Sequence, residues 1–512
     1  MKNNRNFRRM ISVLLVLALL LPCISIPAFS QDLPCAEDGC SGKYRGGICS
    51  AAGHLEAAPL EGGEYRISNA GQLYWFAALV NGGEVSADAV LTADITIDTD
   101  LAWSPIGLYT SGREYVAYAG TFDGAGHTIY GLTYDNTAYN GRNAAFVGTL
   151  DTDGTVKDLT IAEATINGAT VGGIAAENNG DILDCTNSAE INGTNSVGGI
   201  VGMNDGTIAD SVNTAAVTAE NTHVGGIAGN HVGGEITRSG NLGAVTGASD
   251  YIGGVAGVCS GAAITESFNS GSVTGAEKSE AVGGVVGAID GTNTHKSTLT
   301  SVYNTGKVTG RGWVGGIAGV SGYQKTPMTV EIGNSYNTGS VSGTNHTGAV
   351  VGKLSKGTVS GTYFLTGSAQ NTVNGAISAT AEQFASGEIA AKLNETSNVW
   401  FQTLDIPGLE PDASPVLDDE HGAIYYGYCD CTDYGYTNRE NYDEPGDHVD
   451  EDGNMVCDKC GTILGEVHEH EFGEWERTKE PPAPSTASRP ASAPSATIPR
   501  SSGSRSCPIP RS

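Results

Sequence analysis

Cys35, Cys40, Cys49 and His54 stand in the order C-x4-C-x8-C-x4-H. Near the other end, Cys429-x-Cys431 precedes Cys457-x2-Cys460-Gly461, with His448, His468 and His470 close by. Thiolate and imidazole are the donors that a tetrahedral Zn²⁺ prefers, and C-x2-C-G lets two thiolates grip one ion at about 2.3 Å. The same thiols in an oxidising compartment pair as disulfides. Both chemistries fit Cys35, Cys40, Cys49 and His54, and both fit Cys429, Cys431, Cys457 and Cys460, so each cluster reads as zinc or disulfide. Either role is structural, because four protein ligands leave no open position for a substrate.

Other spacings fall short of a site. His468-Glu469-His470-Glu471-Phe472 approaches the H-E-x-x-H of zinc peptidases, but Phe472 stands where the second histidine must be. Asp450, Asp452, Gly453 and Asn454 resemble part of a calcium loop, yet Lys459 would occupy its last ligand position. A glycosidase needs two carboxylates about 5–10 Å apart. Asp123, Asp181, Asp205 and Asp210 are available, and nothing in the sequence pairs them. Neither G-x-S-x-G nor a Cys/His nucleophile arrangement is present. The chain therefore reads as non-catalytic.

The frame that must carry these residues is a repeat. Val171-Gly172-Gly173-Ile174 recurs with starts at Val197, Val224, Ile252, Val282 and Val314, and decays at Thr347-Gly348-Ala349-Val350. The starts lie 26, 27, 28, 30, 32 and 33 residues apart. A period in this range means a stacked array. Each period holds two further runs of β-branched residues, such as Thr207–Ser211 and Asn337–Gly343, separated by Gly and Asn turns. Alternation of apolar with small or polar residues is the strand period. Three strands of about five residues then fill one coil, and stacking coils about 4.8 Å apart pairs each strand with its equivalents. The expectation is an all-β parallel β-solenoid in which Val197, Val224 and Ile252 form one inward ladder. The paired glycines serve turns or close backbone approach. Asn187, Asn213, Asn241, Asn269, Asn304 and Asn337 recur at one place in the period, as a stack of hydrogen-bonded amides would require. Phe364 replaces the amide in the last coil. Cys185 occupies the small-residue slot filled by Ser211, Ser239 and Ser267, and reads as core.

The combination Val-Gly-Gly-Ile-(Ala/Val)-Gly, Ser-Tyr-Asn-Thr-Gly and Val-Thr-Gly resembles the GLUG motif of bacterial secreted and cell-surface proteins. The resemblance covers about 140–365, and Trp103–Gly107 with Gly120–Gly124 resemble the usual lead-in. It implies a β-helical, adhesin-like protein and names no ligand.

The flanks complete the organisation. Lys2, Arg5, Arg8 and Arg9, an apolar run from Met10 to Leu21 and Ala28-Phe29-Ser30 have the form of a secretory signal peptide. The apolar run is shorter than the roughly 20 residues a membrane span needs. The formal net charge of -30 disfavours nucleic acid and anionic lipid as partners. Ser68 and Gln72, with apolar residues at 73, 76, 79 and 80, predict a short helix within 65–81 that caps the first coil. Thr380–Gln383 has capping-box form, with Phe384, Ile389 and Leu393 on one face up to Asn394. Val399–Phe401 and Pro415–Leu417 read as short closing strands. Eight of eighteen prolines follow Lys479, and the tail is basic through Arg489, Arg500, Arg505 and Arg511. That composition predicts disorder, and its abrupt onset after Phe472–Glu480 reads as a slip of reading frame. The expected order is a signal peptide (1–30), a Cys-rich module (31–60), a cap with lead-in strands (61–139), the solenoid (140–365), a second cap (366–425), a Cys/His-rich module (426–472) and a tail (473–512). The expected protein is secreted or on the cell surface. It binds an extracellular glycan or protein, takes structural zinc if any cofactor, and has no transmembrane helix in its mature form. The alternative is a β-helical polysaccharide lyase or hydrolase.

Overall fold

A computed structural model of the protein describes residues 33–36, 40–41, 43–51, 53–98, 101–108, 116–135, 143–324, 327–370, 375–406, 408–428 and 434–438. Cys429, Cys431, Cys457 and Cys460, the segment 1–30 expected to be a signal peptide, and the basic tail lie outside them. Two compact units divide the chain: residues 1–402 with 413–421, and residues 403–412 with 422–512.

The first unit is a parallel β-solenoid. Among the described residues, one face is an eight-stranded sheet running from Val147–Leu150 to Val351–Leu354; the second has twelve strands and ends at Thr358–Ser360; the third has 23 strands, most of them short. Pairing between repeats is parallel, and equivalent residues stack. Val171, Val197, Val224, Ile252, Val282, Val314 and Thr347 form one continuous register, as the sequence predicts. Val201, Ile208, Val217, Val224 and Ile227 of a single coil are all buried. Each contributes about 1.5–3 kcal/mol by leaving water.

The third face departs from the expected single strand per coil. Thr160–Val171 and Thr186–Gly198 run unbroken, but the later coils break into pieces such as Val212–Asn213, Val217–Ala219 and Val224–Gly225. An amide row runs along this face. Asn213 Nδ2 donates to Ala215 O at 2.8 Å, as Asn187 Nδ2 does to Ala189 O at 2.9 Å within the unbroken strand Thr186–Gly198. Asn213 Nδ2 also donates to Asn241 Oδ1 of the next coil at 2.8 Å. The relay runs from Asn187 through Asn213, Asn241, Asn269 and Asn304 to Asn337, with links of 2.7–2.8 Å. All six residues are buried, so the amides satisfy one another inside the fold. Ile161 and Phe364 stack at its two ends.

The paired glycines and this relay are one device. An ideal Cβ on Gly225 would lie 2.1 Å from Ala228 O, so the first glycine admits the carbonyl that closes the corner. A Cβ on Gly226 would lie 2.1 Å from Asn241 Cγ and 2.2 Å from Gly254 O. The second glycine is the floor on which the next coil's amide rests.

A second internal relay had no sequence signature. Asn178 donates to Asn204 at 2.7 Å, and Asn204 meets His231 Nδ1 at 3.1 Å. His231 Nε2 lies 3.1 Å from Ala263 O. Burial pushes the His231 pKa down to about 4, so the ring is neutral at pH 7. Cys185 is core, as expected: its backbone N donates to Ser211 Oγ at 3.2 Å and burial pushes its thiol up to about 12.

Helix α1 (Ala70–Asn81) seals the first coil. It crosses over between the parallel strands Glu64–Ile67 and Asp88–Leu91. The helix is shorter than the 65–81 window because Tyr65–Ile67 are strand, and its N-cap is Asn69 rather than Ser68. Asn69 Oδ1 accepts from Gln72 N at 2.9 Å, whereas Ser68 Oγ and N donate to Gln72 Oε1. Leu73, Phe76, Ala77 and Val80 are buried in the solenoid core, with Phe76 against Tyr118 and Phe122.

The expected C-terminal helix is two: α2 (Ala381–Ala385) and α3 (Glu388–Asn394), broken at Gly387 with φ +86°. The capping box at Thr380 and Gln383 is present. Phe384, Ile389, Leu393 and Trp400 pack against Phe268, Tyr303, Tyr336 and Tyr363. Phe268, Tyr303 and Tyr336 stack on one another at 5.0 and 5.1 Å in successive coils. This segment therefore buttresses the side of the last coils. The closing strands reduce to one antiparallel bridge, Phe401 to Val416. In the second unit, Tyr425–Tyr428 and Tyr434–Thr437 form an antiparallel hairpin, and Cys429 and Cys431 fall in the sequence between its strands. Among the described residues, no helix is long and apolar enough to cross a membrane.

Candidate metal centre and the acidic column

The N-terminal module is a three-stranded antiparallel sheet of Leu33–Pro34, Lys43–Arg45 and Ile48–Cys49. Gly46 and Gly47, at φ +58° and +81°, form the two-residue turn between its last strands, the conformation such hairpins demand. Cys49 N donates to His54 O at 2.8 Å, and Gly53 N to Cys49 O at 2.9 Å, so Gly53 and His54 fold back onto Cys49. That turn carries His54 to the sheet end where Cys35 leaves the first strand.

The four sequence-predicted residues come together. Cys35 Sγ lies 3.4 Å from His54 Nδ1, Cys40 Sγ lies 3.3 Å from Cys49 Sγ, and all four ligand atoms lie within 4.8 Å of one another. Ligands of a tetrahedral zinc stand roughly 3.5–3.8 Å apart, given bonds near 2.3 Å to sulfur and 2.0–2.1 Å to nitrogen. The set spans that range, and its donors suit the ion. Cys49 is buried while Cys35 and Cys40 are half-buried. A metal there would sit in a closed site with all positions filled by protein. The arrangement can hold a metal; a Cys40–Cys49 disulfide would use only half of it.

The carboxylates singled out in the sequence are dispersed over several coils, and two are in ion pairs. Asp123 Oδ2 meets Lys157 Nζ at 2.6 Å. Asp210 takes both Arg238 Nε at 2.7 Å and Arg238 Nη2 at 2.6 Å. Asp181 and Asp205 lie in strand and turn positions of the second face.

Asp210 also belongs to a column that sequence reasoning missed. Asp158, Asp184, Asp210, Arg238, Glu266, Ser301 and Asn334 all have φ between +45° and +55°. Each donates its backbone N to the next coil, as Asp184 N does to Ala209 O at 3.1 Å. Left-handed backbone costs a non-glycine residue on the order of 1 kcal/mol or more. In this column the following residue offsets it: Ser211, Ser239 and Ser267 Oγ each donate back to the carbonyl two residues earlier, at 2.7–2.9 Å. Stacked acids result. Burial, then Asp210 and Asp158, raise the Asp184 pKa to about 6. The residue type varies down the column, so only the spacing could have marked it.

No family model matches the chain. A 78-residue segment, 15% of the chain, is 41% identical to Halomucin of Haloquadratum walsbyi, and spans 1% of that protein's length. The fold is similar to the crystal structure of a candidate immunoglobulin A1 protease from Bacteroides ovatus, with a TM-score of 0.40 and 16% identity over 69% of this chain and 92% of that one.

Proposed function

We propose that the chain is an exported, non-catalytic binding protein of the GLUG-repeat kind, acting at or outside the cell surface. The observation that carries this reading is the outward row on the third face. Asn192, Thr218, Thr246, Thr274, Thr309 and Ser342 stand in one register, one per coil. Five of the six are exposed. A ligand with its own repeat, such as a glycan chain or a fibrous protein, meets equivalent hydroxyls and amides at each step of about 4.8 Å. The Cys35, Cys40, Cys49 and His54 cluster takes a structural zinc in this reading. The test is an array of glycans and extracellular-matrix proteins probed with the purified chain. Binding that falls when Thr218, Thr246 and Thr274 are changed together to Glu supports the reading. Binding that this variant leaves intact removes the row as the contact, and an array with no ligand removes the binding function.

Asp184 favours one competing reading. Burial and the nearby Asp210 and Asp158 raise its pKa to about 6, the direction a general acid needs. Hydrolysis of a polysaccharide panel that disappears in Asp184→Asn would replace binding with catalysis.

A further inference from the structure

The Cys-rich module does not hang free. Its Gly46–Gly47 turn sits on the first turn of α1: Gly71 N donates to Gly46 O at 2.8 Å. A second arm arrives just beyond His54. Glu56 N donates to Gly47 O at 2.8 Å, and the Glu56 carboxylate accepts from Asn69 Nδ2 and Gln72 Nε2, each at 3.0 Å. Asn69 is the N-cap of α1 and Gln72 lies in its first turn. The contact leaves no room for a methyl group. An ideal Cβ on Gly71 would lie 1.9 Å from Gly47 O, and one on Gly47 would lie 1.9 Å from Asn69 Oδ1.

The positions of the ligands along these arms matter. Cys49 follows Gly47 by two residues, and His54 precedes Glu56 by two. A metal that joins Cys49 and His54 therefore ties together the roots of both arms that grip α1. Backbone bonds also join the arms, at Glu56 N to Gly47 O and at the Ile48–Leu55 bridge, and Leu55 and Ala58 pack on the solenoid core, but the module has no core of its own. Among the described residues of 33–59, the buried apolar side chains are Cys49 and Ala58, too few for a core. Helix α1, in turn, is the plug of the first coil through Leu73, Phe76, Ala77 and Val80.

We infer that metal occupancy of the Cys35, Cys40, Cys49 and His54 site governs the seal on the first coil of the solenoid, making the N-terminal cap metal-dependent. The inference rests on the zinc reading of that site. Metal bound only by the assembled module stabilises whatever must open with it. Loss of metal frees the two arms, unlatches the N-terminus of α1 and lets the first coil fray. The central coils, held by their own neighbours on both sides, are not affected.

The experiment is hydrogen exchange by mass spectrometry on the reduced full chain, with excess Zn²⁺ or with chelator, alongside elemental analysis of bound zinc. The His54→Ala variant serves as the zero for this site. At free zinc about a hundredfold above its Kd, exchange of amides in 64–81 slows by up to about a hundredfold, while amides in 224–260 do not change. Gly71→Ala keeps all four ligands and favours helix, yet wedges the module from α1. It binds the same zinc as the parent and loses the slowing. If the parent binds one zinc more than His54→Ala but exchanges identically in 64–81 with and without metal, the coupling is overturned and the zinc site stands. If the parent and His54→Ala bind equal zinc, both the site and the coupling are overturned. If Gly71→Ala retains the full slowing, the route through the Gly46–Gly47 contact is wrong.

Discussion

Asn241 donates to Asn269 and accepts from Asn213, so changing it to Ala breaks the buried amide relay in both directions. Each polar group left unsatisfied costs about 1–3 kcal/mol. Chemical denaturation of Asn241→Ala is expected to show a loss on the order of 2 kcal/mol or more, and parent-like stability would remove the relay as a source of stability. Gly226→Val strikes the same place from the other side, since its Cβ would fall on Asn241 Cγ. It is expected to cost at least about 1–3 kcal/mol through strain. Two buried titrating groups give opposite pH slopes. The Asp184 pKa rises from 3.8 to about 6 on folding, so the folded state binds the proton more tightly, and stability falls as pH rises through that window. The His231 pKa falls from 6.5 to about 4, so stability is lost as pH falls from 6.5 toward 4. Denaturation midpoints measured from pH 4 to 8 should therefore show Asp184→Asn gaining on the parent as pH rises toward 7. His231→Asn, which extends the amides of Asn178 and Asn204, should lose less than the parent on acidification. A pH profile unchanged by either substitution would contradict these assignments.

At the level of elements, the repeat was legible because its signals are chemical necessities that recur: a Val or Ile for the ladder, a glycine where a carbonyl passes, an Asn for the relay. The zinc-type donor set was legible for the same reason, as C-x4-C-x8-C-x4-H. What escaped depends on direction rather than type. The left-handed column accepts Asp, Arg, Glu, Ser and Asn, so no residue marks it. Phe268, Tyr303 and Tyr336 beside the amide row were visible as Ser-Phe-Asn, Val-Tyr-Asn and Ser-Tyr-Asn, but their outward placement needs the register of the coil. That placement explains why α2 and α3 lie along the side of the last coils. Trp400 is fully buried against Tyr303 and Tyr336, so Trp400→Ala is expected to cost about 3–5 kcal/mol in that region. Thr380→Ala, which deletes a cap, is expected to cost about 1 kcal/mol. Proteolysis mapped by mass spectrometry should show new cuts in 381–401 for Trp400→Ala and parent-like cutting in the central coils. Equal sensitivity throughout would mean that the buttress and the coils unfold as one.

For the whole molecule, the ladders make one coil interchangeable with the next. Valine stacks on valine and amide on amide, and the same bonds between coils recur from one period to the next. Excising one whole period, residues 198–224, would join Val197 to Gly225 and bring Asn187 against Asn241 with every row still continuous. Such a deletion is expected to fold and to shorten the array by about 4.8 Å, whereas removing half a period should not fold. A change that added or removed one whole period would therefore add or remove a coil without inventing new contacts. Reach then becomes a heritable length set in whole steps, and the outward row can lengthen or shorten without altering a single residue that remains on it.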